Sequence, residues 1–321
     1  MSIKEIKANE LEPERFIDEK IEEISKTVGE GLAISALSGG VDSSTVTILG
    51  HKALGTRLKA YFIDNGIMRQ GEAENIISTF GSLGVTVERV NAQKKFFNAL
   101  KGIVDPEKKR EAITQTFYKD VFADILRESN ARYLLQGTIL TDVEETVAGI
   151  KRQHNVFEQL GINPEEAFGY RIVEPLIQLR KDSVRIIAKS LGLPESIYNR
   201  PPFPGPALAA RVIGEVTPER IEIVRKATEI VEEELENTSA FQYMAILHND
   251  KVTGIIEGKR NFGLQIEIRC WDSLDARVAT PTNLPYDILS KISKRITNEI
   301  DNVVSVTYNI SCKPPSTMEA V

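Results

Sequence analysis

Leu32-Ala33-Ile34-Ser35-Ala36-Leu37-Ser38-Gly39-Gly40-Val41-Asp42-Ser43-Ser44 joins a short apolar run to a Ser/Gly turn, and the residues from Ser43 to Leu54 then have helical character. A Ser/Gly turn between a strand and a helix is where a phosphate-binding loop belongs. Glycines let the backbone approach an anion, and successive N–H groups and hydroxyls then donate to it at the positive end of the helix dipole. The Gly-Lys-Ser/Thr ending of a Walker loop is missing, which argues against γ-phosphate transfer. Asp42, an acid inside such a loop, makes sense as a holder of Mg²⁺ beside a pyrophosphate. The plainer reading makes the segment a Ser/Gly turn with Asp42 as a helix cap; the βα setting of all seven residues favours the phosphate loop.

Outward from this loop the chain alternates between the two periods. An amphipathic helix over 11–30 precedes it. Leu58–Ile63 reads as a strand ending at Asp64, Ala73–Leu83 as a helix, and Val85–Val90 as a strand. Glu107–Glu128 reads as a long helix with Ile113, Phe117, Val121 and Ile125 four apart, and Tyr133–Leu135 as a strand ending at Gln136-Gly137-Thr138. Alternation of this kind predicts a doubly wound α/β domain on a parallel sheet, with ligands at the carboxyl ends of the strands. Residues 138–169 lack a clean period, as a functional lid or a disordered segment would. Val173–Leu176 and a helix over Lys181–Leu191 add one more βα unit.

The stiff run Pro201-Pro202-Phe203-Pro204-Gly205-Pro206 is the natural domain boundary. It divides the chain into 1–200 and 201–321. The second part reads as a smaller α+β unit: a helix over Thr217–Leu235, strands near Phe241–Leu247, Val252–Ile256 and Leu264–Cys270, a helix over Tyr286–Ile300 and a strand over Val303–Ile310.

Composition narrows the classes. With 321 residues, 41% hydrophobic and 27% charged, the chain can bury a sizeable core. Its net charge of -6 is no footprint for wrapping nucleic acid. Two cysteines and three histidines exclude a disulfide framework and leave little for a histidine-rich metal site. The first residues carry no signal-peptide core and no apolar run approaches about 18 residues, so a cytoplasmic protein with no membrane partner is expected.

The heptad Ser38–Ser44 resembles the PP-loop of N-type ATP pyrophosphatases. Phe62-Ile63-Asp64-Asn65-Gly66, Gln136-Gly137-Thr138, Val173-Glu174-Pro175-Leu176, Pro202-Phe203-Pro204-Gly205-Pro206 and Lys313-Pro314-Pro315 follow in the order and spacing of the synthetase portion of GMP synthases. The similarity runs from about residue 10 to the C-terminus.

The resemblance implies an adenine nucleotide alpha hydrolase-like sheet followed by a C-terminal dimerisation domain. It also implies a reaction in which ATP adenylates xanthosine monophosphate (XMP) and ammonia then displaces AMP. Ser38, Gly39, Gly40, Val41, Asp42, Ser43 and Ser44 would bind the pyrophosphate of ATP with Mg²⁺ at Asp42, and Asp64 and Gly137 would flank the adenosine. Asp142, Glu145 and Lys151 match lid positions, and Lys181 is a second candidate for phosphate; Asp42, Asp142 and Lys181 would be the catalytic set. Lys313 would meet the XMP phosphate, with Arg211, Arg269 and Glu319 as further acceptor-site candidates. Asp64 also reads as a strand-end turn residue, Lys181 as a solvated helix face, and the two arginines as edge charges or ion-pair partners. No domain of the cysteine–histidine glutaminase kind fits ahead of residue 10, so a separate glutamine amidotransferase subunit and a homodimer are implied.

Departures from the family pattern cluster on the acceptor side. Phe157-Glu158 stands where a lid usually has two glycines, Ala207 and Ala209 replace glycines after the proline run, and Glu319-Ala320-Val321 replaces an ending Glu-Trp-Glu. Two alternatives therefore stand beside GMP synthesis: a paralogue that adenylates a different acceptor for amination or sulfur transfer, and a non-catalytic ATP-binding regulatory subunit.

Overall fold

A computed structural model describes residues 3–147, 170–200, 203–256, 258–274 and 276–320. The chain forms two compact units. The first comprises Met1–Asp64, Glu72–Ala92 and Thr114–Arg200. Its sheet contains β1 (Ala33–Leu37), β2 (Leu58–Asp64), β3 (Val87–Asn91), β4 (Tyr133–Leu135) and β5 (Arg171–Val173). The order is β3-β2-β1-β4-β5 and every pairing is parallel, as the alternating pattern predicts. From β1 the chain builds to one side through β2 and β3, then returns to place β4 on the other side. The direction of winding thus reverses between β1 and β4, the position at which open α/β sheets bind ligands.

Helices α1 (Pro13–Val28), α2 (Val41–Leu54), α3 (Glu72–Ser82), α6 (Ala123–Ser129), α7 (Leu140–Val147) and α8 (Lys181–Ser190) also belong to this unit; α4 and α5 are placed below. Helix α2 has little amphipathic character because it is buried nearly all round, from Val46, Ile48 and Leu49 to the hydroxyls of Ser44, Thr45 and Thr47. Those threonines remain compatible with a core because each bonds a carbonyl one turn back: Thr45 Oγ1 donates to Val41 O at 2.7 Å and Thr47 Oγ1 to Ser43 O at 2.8 Å.

The second unit comprises Asn65–Gly71, Gln93–Ile113 and Pro201–Val321. Two segments from before residue 200 thus cluster with the C-terminal part. Their links are polar and specific: Arg225 donates to the carbonyls of Gly66 and Met68, Leu208 N to Ile67 O, and Lys109 Nζ to Val212 O. Helices α4 (Gln93–Leu100) and α5 (Pro106–Gln115) hold the second of these segments. The helix expected over 107–128 divides into α5, a π-helical stretch Thr116–Phe122, and α6. Its apolar residues recur every four positions, which outruns the 3.6 of an α-helix, and the wider turn keeps them closer to one line.

In the second unit β6 (Gln242–Ile256), β7 (Lys259–Asp272), β8 (Thr280–Pro281) and β9 (Val303–Tyr308) form a mixed sheet, β9 running parallel to β7 and the other pairs antiparallel. The sequence predicts two strands over 241–256; there is one, bulged between Leu247 and Lys251. His248-Asn249-Asp250 has the polarity of a turn, yet an irregularity in register absorbs it and pairing resumes at Lys251 with Leu264. Helices α9 (Pro218–Leu235) and α10 (Tyr286–Glu299) complete the unit. Thr217 caps α9 by accepting from Arg220 N at 3.3 Å. Among the described residues no helix is long and apolar enough to cross a membrane.

Candidate active site

β1 delivers the chain to Ser38, and Gly39 reverses it with φ +77°, a conformation that suits glycine. Ser38 and Ser43 tie the turn together: their hydroxyls lie 3.0 Å apart, Ser38 N donates to Ser43 Oγ at 3.2 Å, and Ser43 Oγ donates to Gly40 O at 3.1 Å. Gly40 then takes the N-cap position with no side-chain cap. The first intrahelical bond there is Ser44 N to Gly40 O at 3.1 Å, which leaves the N–H groups of Val41, Asp42 and Ser43 without a helical acceptor. An anion is the natural partner for such a helix start.

Two side chains add charge. Lys181, the first residue of α8, donates to Asp42 Oδ2 at 2.5 Å. Asp42 Oδ1 is buried and has no hydrogen-bond partner among the described residues. Ser44 Oγ and Thr138 Oγ1 are likewise buried without one. An orphaned carboxylate oxygen beside an anion-binding turn fits a divalent cation that takes one protein ligand and its remaining oxygens from phosphate and water. Among the described residues no cluster of three or more His, Cys, Asp or Glu could hold a metal ion.

Gly137, at the end of β4, packs directly on this loop. A Cβ there would lie 2.9 Å from Asp42 C and Ser43 N. The family resemblance sets Gly137 beside adenosine; the structure sets it against the start of α2, where only glycine leaves room. Asp64 sits at the end of β2, buried, with Oδ2 taking Arg89 Nε at 3.0 Å and Nη2 at 2.6 Å, while Arg89 also reaches Glu74. The guanidinium of Arg89 is raised above its ordinary range chiefly by its hydrogen bond to Asp64. Asp142 Oδ2 accepts from Ile139 N at 3.0 Å, a third-position acid reaching back to the residue before α7. The backbone of Glu145 lies in α7, its side chain is outside the described residues, and Lys151 and Phe157-Glu158 are outside them altogether.

Of the acceptor-side candidates, Arg211, Arg269 and Glu319 meet in the second unit, which also holds Lys313. Arg211 is fully buried, 3.5 Å from each Glu319 oxygen, with Nη1 unpartnered among the described residues and Phe203 5.0 Å beneath its guanidinium. Gln242 Nε2 donates to Glu319 Oε1 at 2.9 Å. Arg269 pairs with Glu267 at 2.5 Å and donates through Nη1 to the carbonyls of Thr317, Met318 and Glu319. Burial pushes the Glu267 carboxyl up, but hydrogen bonds from Arg269, Asn309 and His248 together hold it below its ordinary range. Lys313 Nζ donates to Ala276 O at 2.7 Å, and its backbone pairs with Ala279 in both directions. Arg211 and Arg269 are thus both ion-pair partners, the alternative that the sequence also allowed, and both contact the C-terminal tail.

Sequence reasoning misses Gln242, Glu267 and the Arg200–Glu72 pair. Their only signal is polarity at positions that prove buried or half-buried, which no single sequence displays. Ala207, which stands where the resembling family has glycine, keeps a glycine-like φ of +52°.

A five-stranded parallel sheet with a Ser/Gly loop at its reversal point defines a nucleotide-binding α/β enzyme of the ATP-pyrophosphatase kind. The family model for the GMP synthase C terminal domain matches residues 228–320. Over 309 residues the chain is 48% identical to a GMP synthase [glutamine-hydrolyzing] subunit of Thermococcus kodakarensis, covering 95% of this chain and 99% of that one. It is 49% identical over 309 residues to the protein of the same name from Pyrococcus furiosus, covering 95% and 97%. It is 47% identical over 314 residues to that of Methanocaldococcus jannaschii, covering 96% and 99%. The chain belongs to the family of GMP synthase synthetase subunits and is a carbon–nitrogen ligase. Relatives that match from end to end favour neither the paralogue nor the regulatory alternative.

Proposed function

We propose that the chain carries out the ATP-dependent amination of XMP to GMP. The C2 oxygen of XMP attacks the α-phosphorus of ATP, the bond to the β-phosphate breaks, and pyrophosphate leaves. Ammonia then attacks C2, the bond to the AMP oxygen breaks, and the nitrogen sheds its extra proton. The observation that carries this reading is the Ser38–Ser44 loop, with free helix-start N–H groups, the Lys181 ammonium and an orphaned Asp42 oxygen converging at the sheet's reversal point.

In this reading Gly40, Val41, Asp42 and Ser43 supply backbone donors to the departing pyrophosphate, with the Ser38 and Ser43 hydroxyls beside them. Preorganised donors of that kind need no rearrangement as charge develops. Asp42 would hold Mg²⁺ through Oδ1, and the ion when bound would offset pyrophosphate charge. Lys181 is the movable cation, free to turn from Asp42 toward phosphate. Lys313, Arg211 and Glu319 bind the acceptor nucleotide, while Arg269 fixes the tail that carries Glu319. Asp64, Gly137, Asp142, Glu145 and Lys151 remain assigned around the nucleotides as the family resemblance implies, Gly137 through its packing on the loop.

Ammonia comes from a separate glutamine amidotransferase subunit, since Cys270 is buried in a strand and Cys312 precedes Lys313 in the acceptor segment. The cytoplasm is the expected location. A homodimer forms through the second unit, a reading supported by Ile255 and Phe262, which share one face of the β6–β7 hairpin and are 76% and 66% exposed. The test is a product balance. With ATP, Mg²⁺, XMP and ammonium the purified chain should yield GMP, AMP and pyrophosphate in equal amounts, and with glutamine in place of ammonium it should yield none. ADP and orthophosphate as products, or glutamine-dependent turnover by this chain alone, would sink the reading.

A further inference from the structure

Outside the phosphate loop itself, one buried ion pair is built against it from two distant segments. Arg200, the last residue before the proline run, makes a two-pronged pair with Glu72 at the start of α3: Nη1 to Oε1 and Nη2 to Oε2, both 2.5 Å. The side chains are 18% and 7% exposed. The same Nη1 donates to Gly39 O at 3.0 Å. Gly39 fits only because it has no side chain, since a Cβ would lie 2.4 Å from Glu72 Oε1 and 2.8 Å from Arg200 Nη1.

The peptide between Gly39 and Gly40 is a planar unit whose carbonyl and N–H point in opposite directions. Fixing Gly39 O toward Arg200 therefore turns the Gly40 N–H away from it. Among the described residues the partner of Gly40 N is Ser38 Oγ, through a long hydrogen bond of 3.4 Å, so this donor is held in place with weak competition for it. The arginine's own charge is balanced by Glu72, so its effect on an anion passes through the peptide. We infer that Arg200 and Glu72 are positioning residues for ATP cleavage: the pair sets the direction of the Gly40 N–H so that it meets the pyrophosphate. Glu72 holds the guanidinium in the one orientation that reaches Gly39 O, and an arginine without it has no reason to stay there.

This inference rests on the reading of the loop as a pyrophosphate site, and the experiment separates the two. Magnesium pyrophosphate is titrated into wild type, Arg200→Gln, Arg200→Lys and Glu72→Gln, each checked by its melting curve, and the KM values for ATP and XMP are measured. Arg200→Gln should weaken pyrophosphate binding and raise the ATP KM by about tenfold or more, the loss expected when a charged hydrogen bond no longer orders the loop. Glu72→Gln should move both in the same direction by a smaller factor, Arg200→Lys, which keeps the charge but not the fork, should recover only part of the loss, and the XMP KM should stay within about twofold in all three. If Arg200→Gln does not fold, Glu72→Gln decides the matter. Unchanged pyrophosphate affinity in the folded variants overturns the inference and leaves the loop reading standing. Tighter binding in Glu72→Gln also overturns it, because a freed Arg200 would then be a direct phosphate ligand. A wild-type chain that does not bind pyrophosphate overturns both.

Discussion

At the Ser38–Ser44 loop the binding groups are mainly backbone amides held by the strand and helix they join, and one carboxylate oxygen there has no partner among the described residues. In the second unit the corresponding groups are long side chains already engaged with protein: Arg211 and Gln242 on Glu319, Arg269 on three tail carbonyls, Lys313 on Ala276 O. On the proposed roles, the first region would meet its ligand as it stands, whereas the second would exchange internal contacts for external ones and lose part of its binding energy in the exchange.

The sharpest way to break this comparison is Asp42→Ala. If the loop is preorganised for pyrophosphate, losing the orphaned carboxylate should lower pyrophosphate release by about 10²–10³-fold, the usual cost of removing one group that stabilises developing charge. The fold should barely respond, because the ion pair lost with half-exposed Lys181 is worth only about 0–1 kcal/mol. Steady-state pyrophosphate release and a thermal melt on the same sample check both halves. A variant that melts early but turns over normally would make Asp42 a structural residue of the helix start.

Lys313→Ala tests the other region. If Lys313 leaves Ala276 O to meet the acceptor phosphate, the XMP KM should rise by about 1.5–3 kcal/mol, roughly ten- to a hundredfold, with the ATP KM little changed. Equal changes in both KM values, or a lowered melting temperature with normal kinetics, would mean that the lysine only braces the loop that carries Ala276.

What the sequence made legible follows the same division. The parallel sheet and the loop at its reversal point were readable because backbone sites depend on local features: a glycine pair, a strand before, a helix after. Asp64 is legible as a strand-end acid and Asp142 through the family pattern, but their partners are not, since Arg89 and Ile139 N are set by pairing register and helix start. The discontinuous second unit was invisible, because Asn65–Gly71 and Gln93–Ile113 join it through contacts such as Arg225 to Gly66 O that carry no sequence period. The clamp of Arg269 on residues 317–319 was equally hidden, being made to carbonyls that any residue presents.

Two glycine exchanges sharpen the contrast with smaller effects of opposite sign. Gly137→Ala drives a methyl into the Asp42–Ser43 backbone, which cannot rotate aside as a side chain could, and should cost about 1–3 kcal/mol of stability along with ATP turnover. Ala207→Gly relieves a buried alanine of its left-handed backbone and should stabilise the chain by about 1 kcal/mol. Chemical denaturation of the two variants beside wild type measures both. A Gly137→Ala protein as stable and active as wild type would remove the claim that this glycine spaces the loop.

The smallest effect expected concerns a buried charge that neither ligand touches. Lys109 is 1% exposed, and burial, helped by the nearby Arg220, pushes its ammonium down to about 8 from an ordinary 10.5. It donates to Val212 O at 2.7 Å. The unfolded chain therefore holds this proton more tightly than the folded chain does. The resulting cost to stability is present in full below about pH 7 and fades as the pH rises from about 8 toward 10.5. Between pH 7 and 9 the gain should be about 1 kcal/mol from this group. Lys109→Met removes the titration but also strips Val212 O of its donor, so the absolute stability of the variant can fall in either case. The slope is the discriminating quantity. Subtracting the Lys109→Met denaturation profile from that of wild type should leave a difference that rises with pH over this window; a flat difference would mean that water reaches the ammonium and that Lys109 is not a buried charge in solution.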